Sequence, residues 1–201
     1  MDIGGRSGQQ LLGLLGILAG ATVLAGFLPI FPWDSGPLVV LRLVLFNAGS
    51  IAIVFAAHRR QAAIGRGLSS AAAGLAVAAN AWYLVMVILS IGRPVFPEPD
   101  PGFRQILFYA AIALWLADAG FGFVAARLGA VSRWAALAVA VGSLLALTGV
   151  SSLRLTTGPL ATLVEPLSLV GIVVLGIGWL VFGIDVVSRP DPVHTPARRA
   201  T

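Results

Sequence analysis

Six apolar stretches separated by short polar or proline-bearing segments occupy most of the chain, at about residues 11–31, 37–57, 69–91, 105–126, 134–150 and 160–184. Each is close to the roughly 20 residues that cross a hydrocarbon core of about 30 Å at about 1.5 Å per residue. The runs are continuous rather than alternating in short segments. The pattern therefore predicts helices, which satisfy their own backbone groups in lipid, and not the strands of a barrel. The expected fold is all-α: a polytopic membrane protein built as a six-transmembrane-helix bundle with short loops. It forms a single domain over residues 1–188, followed by a flexible tail at 189–201 that holds Pro190, Pro192 and Pro196. Arg6, the apolar run after it and the small triplet Ala19-Gly20-Ala21 imitate a secretory signal, but the run continues past the triplet. The stretch is read as a retained helix.

Charge orients the bundle. Arg6, Arg59, Arg60, Arg66, Arg127, Arg133, Arg189, Arg198 and Arg199 fall on one side of the predicted membrane and Arg93, Arg104 and Arg154 on the other, with Arg42 inside it. Nine against three predicts a cell-membrane protein with both termini in the cytoplasm. The net charge of +5 is then a topology signal matched by anionic lipid headgroups, not a nucleic-acid footprint, because the arginines are divided among short loops. All 13 basic residues are arginine, which with abundant Ala and Gly suggests a prokaryotic source with GC-rich coding bias. The absence of cysteine excludes disulfides, thiol chemistry and thiolate metal sites.

Small residues mark where helices can approach. Gly13, Gly16 and Gly20 form a packing face on the first helix, with Gly16 and Gly20 in small-xxx-small register. Ala73, Ala76 and Asn80 do the same on the third, and Ala111, Trp115, Asp118, Gly122 and Ala125 form a stripe on the fourth. Such faces serve packing within the chain, or docking of a partner membrane subunit or second copy. Trp33, Trp134 and Tyr109 fall at predicted interfaces, as in an aromatic belt, whereas Trp82 and Trp115 fall near mid-membrane.

Chemistry in such a protein belongs to polar groups inside the hydrocarbon, where burial is expensive. Two groupings share a depth. Asn47, Asn80 and Asp118 lie near the midplane on three different helices and form a candidate polar site. As plain hydrogen-bonding glue, such groups return only about 0.6 kcal/mol per contact. Arg42 and Glu165 lie in the outer third and form a candidate ion pair. The alternative leaves them apart, with Arg42 snorkelling outward and Glu165 capping a helix that starts at Pro166.

What the sequence lacks removes several functions. His58 and His194 lie at or beyond the surface, so no imidazole pair holds a haem in the bundle, and neither reaches Ser50 or Ser168 to activate a nucleophile. No metal-binding, phosphate-cradling or zinc-protease motif is present, and His58-Arg59-Arg60 reads as a topology anchor. No cofactor is expected. Six helices in about 200 residues, with small residues on the first, loosely resemble the substrate-binding subunits of vitamin-uptake transporters of the energy-coupling type. That resemblance implies a coupling partner docked on the first helix; it extends to no substrate motif. The expected function is a non-enzymatic accessory or assembly subunit of a larger membrane complex. The alternative is a small-solute or proton-coupled transporter, or a membrane substrate-binding subunit, using the polar site around Asp118.

Overall fold

The computed structural model describes residues 6–26, 36–90, 101–129, 131–152 and 159–188, and every regular element among them is an α-helix. The helices are α1 (Arg6–Ala25), α2 (Gly36–Leu89), α3 (Pro101–Leu128), α4 (Arg133–Ser152) and α5 (Pro159–Ser188). The all-α expectation holds. Trp33, residues 91–100 of the expected outer connection and the tail at 189–201 lie outside the described residues.

The connection expected between the second and third stretches differs from the prediction. Two helices meet there directly at Gly65, whose φ of −152° and ψ of 68° are non-helical, so that α2 comprises two of the six expected helices without a loop between them. The residues around Gly65 include no proline, and arginine, glutamine and alanine all favour helix, so charge alone does not unwind the chain. The two arms of α2 nevertheless fold back on each other. His58 Nδ1 and Ser69 Oγ are 2.7 Å apart although 11 residues separate them, a separation of about 16 Å in a straight helix. The arms Leu38–Ala62 and Ile64–Leu89 are each long and apolar enough to cross a membrane, as are Ser7–Ala25, Pro101–Leu128 and Pro166–Ser188, while α4 contributes the shorter apolar stretch Arg133–Gly149.

Around the bundle α1 packs on α2 and α5, α5 on α4, α4 on α3 and α3 on α2. This closes a ring. Glycines allow the closest approaches. A Cβ on Gly20 would stand 2.5 Å from the Gly176 carbonyl oxygen of α5, and one on Gly183 would stand 2.7 Å from the Gly13 oxygen of α1. Between α4 and α5, a Cβ on Gly142 would lie 2.8 Å from the Gly171 oxygen. Inside the ring, Phe121, Trp179 and Phe182 form an aromatic cluster with ring centroids 5.8–6.4 Å apart, packed with Ile53, Leu114 and Leu175.

The outer surface is apolar as well. Leu14, Phe55, Leu75, Val85, Leu116, Phe123, Val141, Val170 and Ile177 are exposed, while Asn47, Asn80, Gln61 and Asp118 are wholly buried. Large apolar side chains exposed on every helix, with polar groups inside, suit a lipid solvent rather than water. The chain is an integral, multi-pass membrane protein of apolar helices.

Candidate polar site between α2 and α3

The second arm of α2 runs antiparallel to α3, and this brings Asn80 to Asp118. Asp118 lies ten residues before Leu128, the last residue of α3, or about 15 Å from that end. Asn80 Nδ2 donates to the Ala76 carbonyl at 2.9 Å and to Asp118 Oδ1 at 2.8 Å. Both amide hydrogens are thereby used, which fixes the orientation of the amide. Its Oδ1 and the Asp118 Oδ2 are buried and have no hydrogen-bond partner among the described residues.

Asn47 is not part of this hydrogen bond. Its Nδ2 donates to the Leu43 carbonyl of its own helix at 2.7 Å, and its Oδ1 is buried without a partner among the described residues, as is Ser50 Oγ one turn on. The three midplane groups of the sequence thus become one bonded pair and one separate amide. Aromatic residues lie one turn further from the Gly65 kink: Tyr83 follows Asn80 by three positions and Trp115 precedes Asp118 by three. Phe46 of the first arm meets Trp115 with centroids 6.2 Å apart, tying both arms of α2 to α3 at that depth.

The other predicted positions distribute differently. Arg42 rests against the C-terminal end of α1, where a Cβ on Gly26 would collide with its Nη1. Helix C-terminal carbonyls carry partial negative charge, a favourable seat for a guanidinium. Glu165 sits within α5, which starts at Pro159 instead of Pro166 and includes Pro166 in its interior. Its side chain is outside the described residues, so the Arg42 and Glu165 pairing stays an expectation. The Gly13, Gly16 and Gly20 face is divided. Gly13 and Gly20 turn to α5, whereas a Cβ on Gly16 would run into Ile53 of α2.

A second polar cluster, at the arginine-rich end, is not visible as a cluster in the sequence. Arg60, expected as a surface anchor, is only 2% exposed. Its Nη2 donates to the Val186 carbonyl at 2.8 Å and to Gln9 Oε1 at 3.4 Å, and its Nη1 to the Asp185 carbonyl at 3.4 Å. The guanidinium thus neutralises the carbonyl end of α5. In the opposite sense, Asp185 Oδ2 accepts from the Ser132 backbone N–H at 2.9 Å, placing an anion at the positive N-terminal end of α4. These contacts gather α1, the α2 kink, the α3–α4 turn and the end of α5 on one side. Helical spacing held the signal for Arg60, because Ile53, Ala56 and Ala57 are buried on the face that continues to it. For Asp185 the sequence signal is a lone acid directly after the apolar run that ends at residue 184.

Ser69 Oγ also donates to Gln61 Oε1 at 3.1 Å. Ser69 is a serine with a histidine neighbour that the sequence does not reveal. It is wholly buried, and with His58 and Gln61 it clasps the two arms across the kink instead of presenting a nucleophile to a substrate.

The fold and this site define a class, a multi-pass helical membrane protein with a carboxyl and amide pair buried in its interior. Comparison with protein-family models, curated proteins and solved structures finds no match.

Proposed function

We propose that the protein binds or conducts a small polar solute or protons at the Asn80 and Asp118 pair, as a small-solute or proton-coupled transporter or a membrane substrate-binding subunit. The observation that carries this reading is a wholly buried carboxyl, held through one oxygen only, in the interior of a membrane helix. An ionised carboxyl at the bilayer centre costs about 3 kcal/mol on insertion scales. Interhelical hydrogen bonds return about 0.6 kcal/mol on average and about 1.7 at most. Glue alone does not repay an ionised carboxyl, and an asparagine would supply the same bond without the ionisable group. A carboxyl is accounted for when it takes up a proton or a guest. By the arginine asymmetry, the orientation that goes with this reading places the termini and the Gly65 turn in the cytoplasm of a cell-membrane protein.

The accessory or assembly role is the second reading. The first-helix glycines that suggested it are occupied inside the bundle. What favours it is an outward face on α2, where Ser70, Gly74 and Ala78 are exposed at four-residue intervals and Gly74 has open space beside it. Such a face admits a partner helix at close range.

Reconstitution separates the two. Proteoliposomes carrying a pH-sensitive dye and an imposed potential should show ion flux with the native chain and background flux with Asp118→Asn. Native protein that leaves the vesicles as tight as protein-free ones rejects transport and favours the accessory role.

A further inference from the structure

The Asn80 and Asp118 pair turns only oxygen toward its surroundings. Asn80 spends both amide hydrogens, so its remaining face is the acceptor Oδ1. Asp118 Oδ2 lies on the same pair, and neither atom meets a donor among the described residues. Asn47 supplies a third buried oxygen of this kind, its orientation fixed by the bond to Leu43. Along the hairpin, Asn47 and Asn80 are 18 and 15 residues from Gly65, a depth difference of about 5 Å. Trp115 and Tyr83 pack against the core at that level. Arg42, on the first arm five residues from Asn47 or about 7.5 Å in depth, rests on the end of α1 and lies within electrostatic reach of Tyr83.

Buried acceptors without donors among the described residues, one of them an acid, suit a small cation that brings its own N–H groups. We infer that Asn80 Oδ1 and Asp118 Oδ2 bind an ammonium-type monovalent cation, ammonium itself or a small primary alkylammonium; this rests on the solute-site reading above. One such cation balances one carboxylate, leaving no net charge in the hydrocarbon. A hard metal ion fits less well, because calcium and magnesium take about six oxygens or more and the pair offers two.

The test is thermal unfolding of the detergent-purified full chain in ammonium, methylammonium, sodium, potassium and N-methylglucamine chlorides at equal ionic strength. Ammonium and methylammonium should raise Tm in a saturable way, by about 5 °C at concentrations far above Kd. Asp118→Asn should remove the rise. Asn80→Ser, which shortens the amide but keeps a polar group, should need at least tenfold more ammonium for the same shift, and keeps the test available if Asp118→Asn does not fold. An equal rise in sodium or potassium, no difference among the salts, or a rise that survives Asp118→Asn would overturn the assignment. Ammonium stabilisation without vesicle flux supports the site and rejects transport; flux without ammonium stabilisation rejects the ammonium assignment and leaves transport standing.

Discussion

Asn80 on the second arm of α2 and Asp118 on α3 are joined by one 2.8 Å hydrogen bond, and each keeps a second, buried oxygen that accepts nothing from the described protein groups. A pair evolved only to hold two helices together has no need of a carboxyl. A double-mutant cycle measures the holding part. Asn80→Ala and Asp118→Ala should couple by about 0.6–1.7 kcal/mol in detergent unfolding. A cycle with Asp118→Asn in place of Asp118→Ala should show coupling close to zero, since the new amide oxygen still accepts from Asn80 Nδ2 and the bond is not lost. Additive effects of the two alanine changes would show that the bond contributes nothing in solution.

The depth of this pair was legible in the sequence, because counting residues along apolar runs of known length places polar groups relative to the membrane. Two of the three midplane groups do meet. The exclusion of Asn47 from the hydrogen bond was not legible, since depth says nothing of which neighbour a helix face meets. The same gap explains Gly13, Gly16 and Gly20: their spacing announces close packing, but lateral placement decides that Gly16 meets α2 and Gly20 meets α5. The burial of Arg60 was hidden for another reason. A charged run between apolar stretches looks like a loop, and only the continuation of the first arm as helix past residue 57 turns Arg60 inward.

The glycines of the α1 and α5 contact should be sharply position-dependent. Gly20→Val places its Cβ 2.5 Å from the Gly176 carbonyl oxygen and should destabilise the fold by about 1–3 kcal/mol or more. Gly74→Ala, whose Cβ meets nothing within 4 Å, should change stability by about 0.5 kcal/mol or less. Unfolding curves of the two variants compare them directly; equal effects would contradict the packing described.

Arg60 should behave as a buried structural cation and not as a surface anchor. Arg60→Ala leaves the Val186 carbonyl without its donor and should cost about 2–4 kcal/mol, given about 1.5–3 kcal/mol for each good bond to a charged group. Arg59→Ala, at an exposed position of the same turn, is the control and should cost far less. Matching losses would return Arg60 to the role of topology anchor.

The proposed orientation rests on the arginine distribution. A reporter active only outside the cytoplasm should be silent when fused after Thr201 and active when inserted at residues 97–101. Activity after Thr201 would reverse the arrangement.

Access of Asp118 to the outside separates a working site from glue most directly. A guest must enter and leave, whereas a structural bond can stay closed. The folded protein in lipid nanodiscs is treated with a hydrophobic carbodiimide at mildly acidic pH, and modified carboxyls are mapped by mass spectrometry. A working site predicts modification of Asp118 in the folded bundle. An Asp118 that stays unmodified until the protein is unfolded would contradict it.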